Sequence, residues 1–255
     1  MTRDSYQDHR TPRGDRMFKG QPIISDQITK AGLEVVWHEL ERILQANVEG
    51  HVVEFGCYIG TSSLFIRRLL NQYDKTDNPA LLTGGAPWGT PASSPTRVPW
   101  GKDGATGPVI VRAGGEREFH VYDSFEGLPE KRAQDANAAG VDFEAGKLYV
   151  SKKELLQQFH NAHLQPPITH KGWFNEISPA EVPEPIAFAF LDGDFYDSII
   201  SSLRLVYPKM AEGGTILIDD YQRETLPGVE RAIRDFFQGK PLRLRAQANI
   251  AIIEL

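Results

Sequence analysis

The segment HVVEFGCYIGTSSLFIRRLLNQY, from His51 to Tyr73, contains the pattern that best indicates the fold class. Its first part is a short apolar run that ends in a glycine, which is typical of a buried strand. Its last part, from Thr61 onward, has apolar residues at helical spacing. A strand, a glycine-bearing turn and a helix in this order indicate the beginning of a doubly wound α/β sheet.

The same alternation continues toward the C-terminus. FHVYDSFEGLP, from Phe119, restores a strand, and IAFAFLDGD, from Ile186, is typical of a central strand. GGTILIDDY, from Gly213, predicts a turn and a further strand, and LRLRAQANIAIIEL, from Leu242, predicts a closing hairpin. We therefore expect an α/β fold with a mostly parallel central sheet, helices on both faces and a C-terminal antiparallel hairpin.

The length of 255 residues fits one large domain. Residues 1–22 are interpreted as a flexible N-terminal arm and residues 23–255 as a single domain. A helix is predicted directly after the arm, with Ser25 as its cap. Residues 74–118 are rich in Gly, Pro, Ser and Thr and are predicted to form a mobile insertion.

Composition limits the partners and the compartment. The formal net charge of −6 disfavours a nucleic-acid-binding surface, which needs clustered Lys and Arg. Cys57 is the one cysteine, so an intrachain disulfide is impossible and a cytoplasmic location is the simplest expectation. The polar N-terminus lacks the apolar core of a signal peptide, and no apolar run is long enough to predict a membrane span.

Acidic residues stand at four predicted strand ends, where the carboxyl ends of parallel strands form a ligand-binding edge. A single such acid is as often a helix cap or a solvated turn residue. Four at one edge are harder to explain in that way, because adjacent carboxylates repel one another unless a cation or hydrogen-bond donors compensate them. The four positions are Glu54, Asp123, Asp192 and the pair Asp219-Asp220.

Glu54 and Asp123 suggest a nucleoside cofactor, because an acid at the end of the second strand commonly accepts hydrogen bonds from ribose hydroxyls. The turn after Glu54 contains Gly56 and Gly60 but is not GxGxxG, which disfavours a dinucleotide. The helix start at Thr61 and Ser62 could hold a small carboxylate. A ribose, an amine and a carboxylate together describe S-adenosylmethionine.

Asp192, Asp219 and Asp220 suggest a hard divalent cation, because Mg²⁺ prefers carboxylate oxygens, waters and substrate oxygens. Such a cation could chelate vicinal hydroxyls of a substrate and lower the pKa of one of them. One of the acids could also act as a general base.

Through these motifs the sequence resembles the macrocin O-methyltransferase (TylF) family of class I S-adenosylmethionine-dependent methyltransferases. The resemblance covers most of residues 30–237 in family order. It is carried by VVEFGCYIGTSSLFIRRLL, YDSFEGLP, KGWF, LDGDFYDSIISSLRLVYPKMAEGGTILIDDY and GVERAIRDFF. The string from Leu191 to Tyr221 is the most specific of these.

The resemblance implies a Rossmann-like enzyme that methylates a hydroxyl, typically on a sugar of a natural product. It implies that Asp192, Asp219 and Asp220 bind Mg²⁺, that Asp192 also serves as the general base, and that the segment around Gly172 and Trp173 flanks the adenine. The expected cofactor-binding residues are Glu54, Gly56, Gly60, Thr61, Ser62, Asp123, Ser124, Gly172, Trp173 and Asp192.

The sequence leaves several alternative functions open. A catechol-type methyltransferase acting on a phenolic diol would use the same metal chemistry, and a protein that binds S-adenosylmethionine without turnover would serve as a scaffold or regulator. A nicotinamide dehydrogenase is disfavoured by the missing GxGxxG. The partner is expected to be a small hydroxylated acceptor, and neither its identity nor the formation of homo-oligomers follows from the sequence.

Overall fold

The computed structural model describes residues 17–18, 20–75, 117–136 and 143–255. Its centre is a seven-stranded sheet in the order β3-β2-β1-β4-β5-β7-β6. The first five strands in this order run parallel, and β7 and β6 are added antiparallel. The strands are β1 (His51–Phe55), β2 (Phe119–Asp123), β3 (Ile168–Lys171), β4 (Ile186–Leu191), β5 (Met210–Ile218), β6 (Leu244–Gln247) and β7 (Ile250–Glu254). The predicted parallel sheet and C-terminal hairpin are thereby confirmed.

Helices cover both faces of the sheet, as the alternating pattern predicts. One apolar cluster joins the sheet to α1, α2 and α3, and a second joins it to α4 and α5. All six residues of β4 are buried, because this strand lies between two parallel neighbours and has a helical layer on each face. The helices are α1 (Lys30–Gln45), α2 (Thr61–Lys75), α3 (Lys152–Asn161), α4 (Tyr196–Val206) and α5 (Pro227–Phe236), with short 3-10 helices at Ala133–Asp135, Pro179–Glu181 and Tyr207–Lys209.

The first helix begins later than its sequence pattern suggests. The cap of α1 is Thr29, whose hydroxyl oxygen accepts a hydrogen bond from the Gly32 N–H at 3.0 Å. The prediction that Ser25 caps this helix is wrong. Ser25 instead hydrogen-bonds the hydroxyl of Thr61 at 2.9 Å, so it links the segment before α1 to the start of α2.

Two residues of the predicted N-terminal arm pack against the core. Met17 is buried, and the Phe18 ring lies 5.5 Å from the ring of Phe65 on α2. Packing therefore begins before residue 23. Most of the insertion predicted at 74–118 lies outside the described residues. Within the part of the chain described above, no helix combines the length and the apolar character needed to cross a membrane.

The order of the strands determines where a ligand-binding site can form. β1 pairs with β2 on one side and with β4 on the other, because the chain adds β2 and β3 on one side of β1 and then returns to add β4 and β5 on the other. In open α/β sheets, a crevice forms at such a switch point beyond the carboxyl ends of the strands. The turns after β1, β2, β4 and β5 meet at that edge.

Candidate active site

A cavity of about 780 Å³, its open mouth included, lies at this edge of the sheet. The turns after β1, β2 and β4 contribute to its wall, together with the segment after β3 and the turn after β5. The residues most relevant to chemistry in its lining are Gly56, Asp123, Trp173, Asp192, Asp194 and Arg223.

The turn after β1 approaches the turn after β4 very closely. Gly56 has a φ of +86°, and a Cβ at this residue would lie 1.9 Å from the carbonyl oxygen of Asp192. The Asp192 N–H in turn donates to the carbonyl of Phe55 at 2.8 Å. Glycine is therefore required both by the backbone conformation and by the contact that brings Asp192 to the cavity.

Asp123 joins two turns at the end of β2. Its Oδ2 accepts a hydrogen bond from the Cys57 N–H at 2.9 Å, and its Oδ1 accepts one from the Phe125 N–H at 2.7 Å. Oδ2 also accepts a hydrogen bond from the Cys57 thiol at 3.4 Å, so the remaining acceptor capacity is on Oδ1, which has two lone pairs and one donor. Asp123 lines the cavity, where this remaining capacity suits a hydroxylated ligand.

Glu54 lies behind the cavity and is fully buried. The hydroxyls of Ser62 and Ser63, in the first turn of α2, donate to its two carboxylate oxygens. Burial raises the pKa of Glu54 to about 7, and the two hydroxyl donors act in the opposite direction. In this arrangement Glu54 ties β1 to α2, and its oxygens are already occupied by protein donors.

Carboxyl groups cluster at the ends of β4 and β5, where Asp219 and Asp220 are buried and Asp192 and Asp194 are partly buried. The Asp219 N–H donates to the Leu191 carbonyl at 3.0 Å, which fixes the two strand ends side by side. Burial raises the pKa of Asp192 and of Asp194 well above the ordinary value, and nearby aspartates raise both further. Burial and the charge of Asp220 raise the pKa of Asp219 to about 7. The fold therefore places several aspartate side chains, which repel one another when ionised, where water solvates them poorly.

Arg223 provides the positive charge next to this cluster. Its guanidinium donates to Asp220 Oδ1 at 2.5 Å, with the Arg223 side chain 45% exposed and that of Asp220 10% exposed. Asp194 and Asp220 both have left-handed backbones, with φ of +58° and +56°. Such conformations are uncommon outside glycine and cluster at functional sites, where the surrounding structure holds them.

The structure brings some of the predicted site residues to the cavity wall and leaves others behind it. Gly56, Asp123, Ser124, Trp173, Asp192 and Asp220 line the cavity. The lining does not include Glu54, Gly60, Thr61, Ser62, Gly172 or Asp219. Gly60 and Gly172 instead shape turns, since Gly60 donates to the Cys57 carbonyl at 2.7 Å and Gly172 to the Asp123 carbonyl at 3.0 Å.

Asp194 and Arg223 are cavity residues that the sequence analysis did not assign. Asp194 is the second acid of the LDGD string, so its spacing from Asp192 was an available signal. Arg223 follows Asp220 by three residues, which was a weaker signal because charged residues are common in such turns. A third residue, Asp135, is buried near the site and accepts a hydrogen bond from the Tyr196 N–H at 2.7 Å.

The three aspartates predicted to bind Mg²⁺ are neighbours, but they do not form a compact ligand set in the described residues. The one group of three potential ligands found in that part of the chain, with atoms all within 4.8 Å of one another, is His51, Glu118 and His120. Asp220 forms an ion pair with Arg223, which is one reason why the three aspartates do not form a compact ligand set.

The strand order and the cavity at the switch point define the Rossmann-like fold of class I methyltransferases. The solved structure of the O-methyltransferase NovP has this fold. The match has a TM-score of 0.65 at 22% sequence identity and covers 96% of this chain and 89% of that one.

The family follows from the sequence match. The model of the family described as macrocin-O-methyltransferase (TylF) matches residues 107–247, which is more than half of the chain. The chain belongs to this family, as its motifs predict.

Two curated relatives have names that state their reactions. Demethyldecarbamoylnovobiocin O-methyltransferase of Streptomyces niveus is 26% identical over 195 residues, which cover 74% of this chain and 59% of the relative. The tetracenomycin-C relative of Streptomyces olivaceus, an 8-demethyl-8-(2,3-dimethoxy-alpha-L-rhamnosyl)-tetracenomycin-C 4'-O-methyltransferase, is 27% identical over 219 residues, or 82% of this chain and 69% of the relative. The chain therefore spans less than two thirds of the first relative's length.

Proposed function

We propose that this protein transfers a methyl group from S-adenosylmethionine to a hydroxyl of a sugar or glycosylated natural product. The family match and the two relatives' names support the reaction class, and the rhamnosyl group in the second name supports a sugar acceptor. The observation that carries the proposal is the meeting of Asp123, Asp192 and Asp220 in one cavity at the switch point of the sheet. Asp123, which suits a cofactor, therefore lies next to Asp192 and Asp220, which suit a cation.

The cofactor would occupy the β1–β2 side of the cavity. Asp123 offers acceptor lone pairs for ribose hydroxyls, and Gly56 keeps the backbone of the first turn open to a ligand. Trp173, which lines the same cavity, provides a flat apolar surface for an adenine ring. S-adenosylmethionine supplies the electrophilic methyl group when it is bound. The acceptor oxygens of Asp123, the open turn at Gly56 and the ring of Trp173 fit such a nucleoside.

The metal would be held by Asp192, Asp219 and Asp220. These residues fit Mg²⁺ by their chemistry, because Mg²⁺ favours carboxylate oxygens as ligands. A bound Mg²⁺ would stabilise the ionised carboxylates of Asp192 and Asp219, which burial disfavours. Asp220 would exchange its hydrogen bond with Arg223 for the cation. When bound, Mg²⁺ would orient the acceptor's hydroxyls and lower the pKa of the one that reacts.

Asp192 is the candidate general base. It lies at the cavity wall, and the close contact between its carbonyl and Gly56 fixes its backbone. It would accept the proton of the acceptor hydroxyl as the oxygen forms its bond to the methyl carbon and the carbon–sulfur bond breaks. The enzyme's main task is to align the two ligands for in-line attack, since positioning alone can supply a large part of the rate.

The proposal is tested by a mass-spectrometric screen of diol-bearing sugars, glycosides and phenols with S-adenosylmethionine and Mg²⁺. A gain of one methyl group on a sugar hydroxyl supports it. Methylation confined to phenolic diols would favour the catechol-type alternative. Calorimetric binding of S-adenosylmethionine without turnover of any acceptor would favour the scaffold alternative.

A further inference from the structure

A second cluster of ligating side chains lies at the edge of the sheet opposite the cavity. His51 is the first residue of β1, and Glu118 and His120 lie at the start of β2. The strands are parallel and pair Val52 with Phe119, so their amino ends are adjacent. Five residue steps, from His51 to Gly56, separate this edge from the turn after β1 by roughly 16 Å. The cluster is therefore distinct from the aspartates around Asp192.

Two of the separations between the ligating atoms are close to those of a tetrahedral site. Glu118 Oε2 lies 3.0 Å from His120 Nε2 and 3.6 Å from His51 Nδ1, and one atom from each of the three residues lies within 4.8 Å of the others. Ligands at about 2.0–2.1 Å from Zn²⁺ in tetrahedral geometry are about 3.4 Å apart. The two measured separations lie on either side of that value.

The ring nitrogens are held in orientations that suit a metal. His51 Nδ1 accepts a hydrogen bond of 3.2 Å from the Glu118 N–H, so its lone pair is directed toward the backbone of Glu118 and becomes available to a metal when this hydrogen bond is given up. His120 Nδ1 lies 3.0 Å from His170 Nε2, a partner that can accept the Nδ1 proton and leave Nε2 to ligate. Metal-bound histidines usually have such a partner on the second ring nitrogen.

The cluster is both anchored and accessible. Arg117 donates to the carbonyls of Val48 and Gly50, which ties the chain entering β2 to the chain entering β1. The side chain of His120 is 9% exposed, that of His51 23% and that of Glu118 47%. A cation could therefore enter from solvent and keep a water as its fourth ligand.

We propose that His51, Glu118 and His120 form a binding site for a divalent transition-metal cation of the Zn²⁺ class, which clamps β1 to β2 at the amino edge of the sheet. Two imidazoles and one carboxylate favour such a cation over Mg²⁺, which prefers an all-oxygen shell. On binding, the coordinate bond to His51 replaces its hydrogen bond from the Glu118 N–H. The site is independent of methyl transfer.

The test is calorimetric titration of the full chain with Zn²⁺, after treatment with EDTA and dialysis, in excess Mg²⁺. The excess Mg²⁺ is added to occupy all-oxygen sites, so that these sites do not contribute to the Zn²⁺ titration. Glu118→Gln and His51→Gln each remove one ligand at a solvent-accessible position. His38→Gln is the matched control, because His38 is an exposed histidine on α1. Asp219→Asn reports on Zn²⁺ bound at the acidic cluster.

We expect one Zn²⁺ per chain, at least tenfold weaker binding in Glu118→Gln and His51→Gln, and affinity within twofold of wild type in His38→Gln and Asp219→Asn. Zn²⁺ should also raise the melting temperature of wild type and leave that of the two cluster variants unchanged. Absence of stoichiometric binding by the folded protein would overturn the proposal. So would unchanged affinity in both cluster variants, or a loss confined to Asp219→Asn.

Discussion

The carbonyl oxygen of Asp192 lies 1.9 Å from the position that a Cβ on Gly56 would occupy. Gly56→Ala must therefore displace the turn that carries Asp192, in addition to adopting a left-handed backbone at a cost of about 1–2 kcal/mol. We expect a loss of unfolding free energy well above that range and weaker S-adenosylmethionine binding. Urea denaturation and calorimetry measure the two effects.

Gly239→Ala separates the two causes. Gly239 also has a positive φ, +75°, but among the described residues other than its chain neighbours no atom lies within 4 Å of its ideal Cβ. This variant should lose only the conformational part, about 1–2 kcal/mol, and should bind the cofactor normally. Equal losses in the two variants would show that the contact with Asp192 is unimportant.

The acidic cluster should make the metal-free protein less stable as pH rises. The pKa of Asp219 is about 7 in the folded chain, against about 3.9 when unfolded. Between these values the folded state binds more protons than the unfolded state, so the free energy of unfolding falls with increasing pH. In EDTA, Asp219→Asn should exceed wild type in stability by on the order of 2–4 kcal/mol at pH 8 and match it near pH 4.

Urea denaturation at the two pH values checks this difference. Asp197→Asn serves as the control, because Asp197 is 54% exposed on α4 and pairs with Arg132. It should show no such gain. If Asp219→Asn is less stable than wild type at pH 8 without metal, the carboxyl group of Asp219 is stabilising, and the argument for a cation there loses its basis.

Asp135 should stabilise the helix that follows the LDGD string. Its Oδ1 accepts from the Tyr196 N–H at 2.7 Å and its Oδ2 from the Arg132 N–H at 3.1 Å, while Phe195 provides no side-chain cap. Asp135→Ala leaves both donors without this acceptor and should cost about 1–3 kcal/mol. Asp197→Ala should cost at most about 1 kcal/mol, because its ion pair is exposed. Similar losses in the two variants, by thermal or urea unfolding, would contradict the capping role.

Asp123 should contribute to cofactor affinity. We expect Asp123→Ala to weaken S-adenosylmethionine binding by about 1.5–3 kcal/mol, the range for hydrogen bonds to charged groups. Because Asp123 also holds the Cys57 and Phe125 N–H groups, a melting curve must show that the variant is folded. Glu126→Ala, which removes an exposed partner of Lys171, is the control. Calorimetric affinity equal to wild type in a folded Asp123→Ala variant would exclude Asp123 from the site.

Much of the fold could be predicted because its causes are local. The apolar runs that end at Gly56 and Asp192 predict buried strands, and parallel pairing then brings their carboxyl ends to one edge. The sequence pattern predicts the wrong start for α1, because Ser25 and Thr29 are both residue types that cap helices well. Only tertiary contacts decide which of them is the cap. Ser25 bonds Thr61, which is 36 residues away in sequence.

The functional site was less accessible to sequence reasoning, since it depends on which oxygens face the cavity. Glu54 and Asp123 look alike as strand-end acids, yet Glu54 is enclosed by Ser62 and Ser63 while Asp123 faces the cavity. The pairing of Asp220 with Arg223 likewise depends on a turn conformation that no periodicity encodes.

The most direct test of metal-assisted methyl transfer is the turnover of wild type and Asp192→Asn across a Mg²⁺ titration. Both proteins are first treated with EDTA, and an acceptor found in the screen is used. We predict that chelation abolishes wild-type turnover, that Mg²⁺ restores it, and that Asp192→Asn stays at least about 10²-fold slower at saturating Mg²⁺, as expected for loss of a general base. Full wild-type activity after exhaustive chelation, or full recovery of Asp192→Asn at saturating Mg²⁺, would contradict this mechanism.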